Sequence, residues 1–293
     1  MTKEEKQYKK MTEGSTSKLV FTLGLPAMIS MLVTAIYNIA DTLFVSKIDA
    51  DGLASAAVTI VFPLMAIIQA IGFTFGMGSG SLISSKLGER KEEDAQRIGS
   101  SAFYIAIILG LVITILSLIF INPLLRLLGA SSNVLPYAKD YAIYVIIGFP
   151  IMAGSFVMNN ILRSEGKAKF SMIGLTVGGI LNIFLDPLFI NTFNMGIKGA
   201  AIATVISQGI SFLILLSMFV FKKSIIKLAI DKVSKALLGA DAISGLTSNI
   251  LVQFSHWLMS PINNSFKFTW LYRNILAQFF GWESSKPFID TTS

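Results

Sequence analysis

Along this chain apolar and polar residues segregate into long blocks. Six blocks stay apolar for more than twenty residues: Leu19 to Val45, Val58 to Ile83, Ile98 to Ile121, Pro136 to Leu162, Phe170 to Ile190 and Ile197 to Phe221. A helix rises about 1.5 Å per residue and the hydrocarbon layer is about 30 Å thick, so each block is long enough to cross it. Barrel strands would be shorter and would alternate with period two, which these blocks do not. The pattern predicts an all-α polytopic membrane protein, a bundle of six transmembrane helices followed by an irregular C-terminal tail.

After Ile230 the pattern changes. Asn249 to Met259 and Phe266 to Phe280 are apolar but short, and Gln253, His256, Lys267, Arg273 and Asn274 interrupt them. Such runs read as interfacial or poorly ordered segments rather than spans. The expected organisation is therefore a cytoplasmic N-terminal segment over 1–17, a six-helix transmembrane lobe over 18–223 and a divergent tail over 224–293. The first block is too long for a signal-peptide core and lacks a small-residue cleavage site, which marks it as an uncleaved first span.

Composition agrees with the pattern: 53% of residues are hydrophobic and 14% charged, against roughly a quarter charged in a soluble domain. Charge adds direction. One set of termini and loops carries Lys3, Lys6, Lys9, Lys10, Lys18, Lys86, Arg90, Lys91, Arg97, Arg163, Lys167, Lys169, Lys222, Lys223 and Lys227, whereas the opposite set has only Lys47, Arg126, Lys139 and Lys198. Lysine and arginine accumulate in cytoplasmic loops, so the N-terminus is expected in the cytoplasm, with the chain in a cell or bacterial inner membrane. The net charge of +7 is accounted for by these loops and implies no nucleic-acid partner.

The blocks contain few ionisable groups, and a charged side chain at the bilayer centre costs at least about 2.5–3.5 kcal/mol on insertion scales. Of the acidic residues only Asp41 and Asp186 lie well inside them. Both come late in outward-running spans, so they share a depth in the outer half. Tyr141 and Thr204 come early in inward-running spans and reach the same level. Asn182 sits one turn from Asp186, and Tyr37 and Asn38 precede Asp41 by four and three residues, as cavity-lining candidates on its face.

A buried pair of carboxylates can hold a proton, ligate a cation such as sodium with amide and hydroxyl oxygens, or counter a cationic ligand. For sodium the candidate ligands are Asp41, Asp186, Asn182 and Thr204. These occupancies exclude one another, which is the chemistry of an antiporter. Enzyme readings fail by comparison. Neither acid stands in the Gly-x-Gly-Asp element of an intramembrane aspartyl protease, there is no cysteine, and the single histidine, His256, lies outside the spans. No cofactor is expected beyond a coupling ion, sodium or proton.

The residues also resemble a known family, the multidrug and toxic compound extrusion (MATE) transporters. The resemblance rests on Ala40-Asp41-Thr42-Leu43-Phe44-Val45, on Gly76-Met77-Gly78-Ser79-Gly80 with Lys86-Leu87-Gly88-Glu89-Arg90, on Leu162-Arg163-Ser164-Glu165-Gly166, and on Asn182 to Ile190 with Gly196 to Thr204; together they cover roughly Ser17 to Lys223. It implies a cation-coupled exporter of amphipathic, often cationic drugs. Its coupling site would fall on Asp41, Tyr141, Asn182, Asp186 and Thr204, with Asn159 as a further member. Members of the family look like two six-helix lobes with the substrate path between them. One lobe is present here, so export is expected to need a second six-helix lobe or a homodimer. A truncated, non-transporting membrane fragment is the alternative, as is a lipid or polysaccharide-precursor flippase relative.

The charge bias generates a topological prediction. A cysteine placed at Ser131 should react with an impermeant thiol reagent from outside the cell, and one placed at Glu92 only from inside. Labelling of the reverse sidedness would remove the shared depth on which the grouping of the polar residues rests.

Overall fold

The computed structural model describes residues 16–48, 51–221 and 223–228. Expectations for the N-terminal segment before Thr16, and for Asn249 to Met259, Phe266 to Phe280 and His256, lie outside the described residues. Among those described the secondary structure is helical throughout: α1 (Thr16–Val45), α2 (Leu53–Gly88), α3 (Glu92–Ile119), the short α4 (Ile121–Leu127), α5 (Leu135–Ile147), α6 (Phe149–Ser164), α7 (Ala168–Pro187) with a π-helical turn (Leu188–Thr192), and α8 (Gly196–Val220). By length and composition α1, α2, α3, α8 and α7 with its π turn can each cross a membrane, and α5 with α6 makes a sixth span bent by 49°. The chain is a multi-span membrane protein.

The fourth span shows how a broken helix is kept inside a bilayer. Pro150 has no N–H, so the carbonyl of Ile146, four residues earlier, loses its helical donor. The helix breaks at Gly148 between α5 and α6. In hydrocarbon no water can take the donor's place. Thr114 of α3 takes it instead, its hydroxyl donating to the Ile146 carbonyl at 2.9 Å. One turn earlier on α3, Gly110 lets the two backbones close up; a methyl there would stand 2.9 Å from Pro150 Cα. Pro26 and Pro63 lie inside helices that remain continuous.

Small residues set the helix packing. The Gly72, Gly76 and Gly80 row of α2 faces Phe156, Asn160 and Ser164 of α6, four-residue step matching four-residue step, so the two helices run parallel. A methyl at Gly72 would come within 2.6 Å of Phe156 Cβ. On α7, Gly174 faces Leu215 and Gly178 faces Ser211 of the antiparallel α8, whose Ser211 hydroxyl donates to the Gly174 carbonyl at 2.9 Å. These are the close approaches that small-xxx-small spacing permits. Helix α1 packs chiefly on α7. It leaves Leu25, Met28, Leu32, Ile36, Ile39 and Leu43 exposed, an apolar stripe suited to lipid.

At the basic end of the bundle the chain folds back after α8. Glu165, 3% exposed, accepts hydrogen bonds from the Ser224 hydroxyl and from the backbone N–H groups of Ile225 and Ile226, the latter two at 2.9 and 3.1 Å, and pairs with Lys167 at 2.8 Å. The Ser100 hydroxyl donates to the Lys227 carbonyl at 2.9 Å. Ile226 is fully buried against Gly99, which has room for it only because it carries no side chain. Residues 224–228, placed with the tail by the sequence pattern, thus form a strap across the ends of α3 and α6. Beside it, in the turn between α2 and α3, Lys91 and Lys86 hydrogen-bond the exposed Glu89 and hold its carboxyl below the ordinary range.

Two stability predictions follow from these contacts. Thr114→Val should leave the Ile146 carbonyl unpaired and lower thermal stability in detergent by about 1 kcal/mol, the scale of interhelical hydrogen bonds in membranes, while Thr114→Ser should restore it. Glu165→Ala should strand buried donors at roughly 1–3 kcal/mol each, raising the open population of the strap at least about tenfold. Faster trypsin cleavage at Lys223 and Lys227 would report it.

Candidate functional site

Four helices bring the central polar groups together. Asn182 and Asp186 are one turn apart on α7, and the Asn182 amide nitrogen donates to Asp186 Oδ1 at 3.1 Å and to the Thr204 hydroxyl of α8 at 3.4 Å. Tyr141, from α5, engages the Thr204 side chain and lies within electrostatic range of both Asp186 and Asp41. Asp41 of α1 is in turn within range of Asp186 and of Tyr37. Asp186, Asn182, Tyr141 and Thr204 are all buried, at 0, 2, 1 and 5% exposure. Asp41 is half-buried.

Local structure explains these positions. Asp186 is the last residue before Pro187, whose missing N–H ends the regular bonding of α7 and lets the chain widen into a π turn. That turn presses on α8 where Gly199 offers no side chain: a methyl there would lie 2.8 Å from the Phe189 carbonyl. The Asp186 carboxyl makes no hydrogen bond to the backbone that Pro187 interrupts. It is bonded to Asn182 instead. On α1, Tyr37 and Asp41 are 40° apart around the axis, which turns both toward α7; Gly179 there would meet Tyr37 at 3.1 Å if it carried a methyl.

Two sequence-predicted residues lie elsewhere. Asn38 is exposed and faces away from the bundle. Being three residues from Asp41 rather than four, it falls on the other side of that carboxylate, about 100° from Tyr37. Asn159 is buried, but toward the basic end of α6, where its amide donates to the Ser171 carbonyl of α7 at 3.3 Å. It belongs to a cavity of about 170 Å³, lined also by Ser30, Thr34 and Tyr37 of α1, Gln69 of α2, Arg163 of α6, Ser171 of α7 and Gln208 and Ser211 of α8. The sequence reading passed over Gln69 and Gln208 because it took amides only where they neighboured an acid or stood in a family motif, although a buried amide also needs partners.

The electrostatics of the cluster are incomplete as the protein stands. Asp41 Oδ1, Asp186 Oδ2 and Asn182 Oδ1 are buried oxygens with no hydrogen-bond partner. All three are acceptors, and buried acceptors left unpaired cost about 1–3 kcal/mol each, more when charged. Among the described residues no grouping of three or more His, Cys, Asp or Glu side chains suits a metal ion. Any cation held here would therefore be held by two carboxylates with amide and hydroxyl oxygens, the hard donor set of an alkali ion rather than a transition metal.

An all-helical bundle of membrane spans, sealed by small residues and holding an unsatisfied acid pair in its interior, has the build of a lobe of a membrane transport protein. Residues 26–188 match the family described as MatE, and the chain belongs to that family. It is 32% identical over 207 residues to the multidrug export protein MepA of Staphylococcus haemolyticus, 71% of this chain and 46% of the relative. With MepA of Staphylococcus saprophyticus it shares 28% identity over 221 residues, 75% of this chain and 49% of that protein. Among solved structures it superposes on a MOP superfamily transporter from Pyrococcus furiosus with a TM-score of 0.76 and 32% identity, covering 87% of this chain and 56% of that one. A MATE protein in complex with MaD3S gives a TM-score of 0.77 over the same shares. The chain spans about half the length of the relatives it matches.

Proposed function

We propose that this chain is the N-terminal lobe of a cation-coupled antiporter that exports amphipathic, cationic drugs, lying in the cell membrane with its N-terminus in the cytoplasm. The observation that carries the reading is the set of three buried acceptors, Asp41 Oδ1, Asp186 Oδ2 and Asn182 Oδ1, that no group among the described residues satisfies. Each needs a donor or a positive charge. A proton, a sodium ion or an organic ammonium would supply one, and a site this closely lined has room for one kind of occupant at a time. Release of drug on one face and uptake of the ion on the other then follow from competition, provided the cluster is exposed alternately to the two sides.

Both coupling ions suit the donor set. Sodium would take oxygens from Asp41, Asp186, Asn182 and Thr204, whereas a proton would ride on either carboxylate and donate to the other acceptors. Tyr141 contributes by holding Thr204 in place. Alternating access requires a second wall, which another six-helix lobe or a second copy would provide. The likeness to multidrug export proteins supports the substrate class.

The experiment is efflux from proteoliposomes in which this chain is reconstituted with and without a separately supplied second lobe, under an imposed sodium or proton gradient. Asp41→Asn should leave insertion intact and lower gradient-driven ethidium efflux at least about a hundredfold, because the amide keeps the shape and loses the exchangeable charge. Unchanged efflux in Asp41→Asn would make Asp41 structural and sink the assignment. Whichever gradient drives the wild type identifies the ion.

A further inference from the structure

The cavity beside the acid cluster is polar at both ends, and the two ends differ in sign. On three helices the cluster lies one turn beyond the cavity wall: Tyr37 precedes Asp41 on α1, Gly178 precedes Asn182 on α7, and Gln208 follows Thr204 on α8. The opposite end is closed by Arg163, with Asn159 one turn above it on α6. From Ala27 to Tyr37 the wall runs about 15 Å along α1 at about 1.5 Å per residue. One end is therefore governed by two carboxylates and the other by a guanidinium.

Among the described residues Arg163 has no counter-charge. It is half-buried and takes part in none of the ion pairs formed among the described residues. Glu165, the nearest acid in sequence, is engaged by Lys167 and by the strap. No Asp or Glu lines the cavity; its other polar walls are amides and hydroxyls. A helical side chain leans toward the N-terminus of its helix, which carries the guanidinium back along α6 toward Asn159 and the cavity. The guanidinium is a planar donor fork that matches a carboxylate in two parallel hydrogen bonds, and in a low-dielectric setting an unpaired one favours an anionic partner strongly.

We infer that Arg163 is a specificity-determining residue that binds the anionic end of an elongated zwitterionic substrate, whose cationic end lies at Asp41 and Asp186. The inference rests on the proposed drug-binding role of the acid cluster and adds to it a second recognition point. A substrate with both charges satisfies both ends of the cavity at once. One with only the amine leaves the guanidinium unpaired.

Binding to the purified 293-residue chain in nanodiscs tests this without requiring transport. The probes are norfloxacin, which carries an amine and a carboxylate, and its ethyl ester, which keeps the amine and the ring system and lacks the acid. The wild type should bind the acid at least tenfold more tightly than the ester. Arg163→Gln should bring that ratio to about one, and Arg163→Lys, which keeps the charge but not the fork, should fall between. Asp41→Asn should weaken both probes alike. An unchanged thermal melting transition of Arg163→Gln in nanodiscs shows that the variant is folded. A wild-type ratio of one, or a ratio that survives in Arg163→Gln, overturns the inference and leaves Arg163 as an orientation charge at the membrane surface. If the ester binds the wild type and Asp41→Asn does not weaken it, the acid cluster loses its drug-binding role while the ratio still judges Arg163. If neither probe binds, both readings fail.

Discussion

Hydrocarbon offers no hydrogen bonds, and most of what is unusual in this bundle follows from that. At several places where the helical ladder or a polar side chain would be stranded, a partner comes from elsewhere in the bundle. Thr114 serves the carbonyl that Pro150 abandons, Ser211 serves Gly174, Asn159 serves Ser171, and Glu165 gathers the donors of the segment after α8. The partners are short side chains that reach across close helix contacts, and those contacts exist because glycine stands opposite them. Packing and polarity are thus one problem with one solution. A glycine row without its facing side chains would leave voids, and a polar side chain without the close approach would not reach.

Against that background the cluster of Asp41, Asn182 and Asp186 is conspicuous for what is left over. Its internal bond, donated by the Asn182 amide nitrogen to Asp186 Oδ1, engages one oxygen and leaves Asp186 Oδ2, Asn182 Oδ1 and Asp41 Oδ1 without donors. Satisfying them from within the chain would have been simple, since a serine or threonine at a neighbouring position does the same elsewhere in the bundle. Under the proposed function these open acceptors are what an arriving cation would meet, which would place the free energy of occupancy in the site rather than in the fold.

Much of this was legible from the sequence because membrane spans constrain depth. Once six apolar blocks and their directions are assigned, the position of a residue within its block gives its height, and Asp41, Tyr141, Asn182, Asp186 and Thr204 come out at one level without any knowledge of packing. What depth cannot supply is azimuth. Asn38 has the right height and the wrong side of the helix, and Asn159 faces the interior at another height, so motif resemblance grouped it with residues it does not touch. The bend at Gly148 was signalled by Pro150, but which helix would mend it was not, because the donor is thirty-two residues away on α3. Ser224 to Leu228 were invisible for a different reason: five residues are too few for a periodic pattern, and the groove that receives Ile226 exists only as the absence of a side chain at Gly99.

The glycine row of α2 has a mechanical meaning as well. Gly72, Gly76 and Gly80 mesh with Phe156, Asn160 and Ser164 at equal intervals on two parallel helices, in the manner of a rack seated on a matching rack. Such a joint has no shallow positions between teeth: sliding by less than one helical turn drives side chains into backbone, and a full-turn jump would unseat all three contacts together. The two helices must therefore travel as one beam in any rearrangement of the lobe. Gln69 and Phe73 on one helix and Phe156, Asn159 and Arg163 on the other keep a constant spacing, so this side of the cavity acts as a fixed jaw. Changes in its width must come from the opposite jaw, formed by α1, α7 and α8.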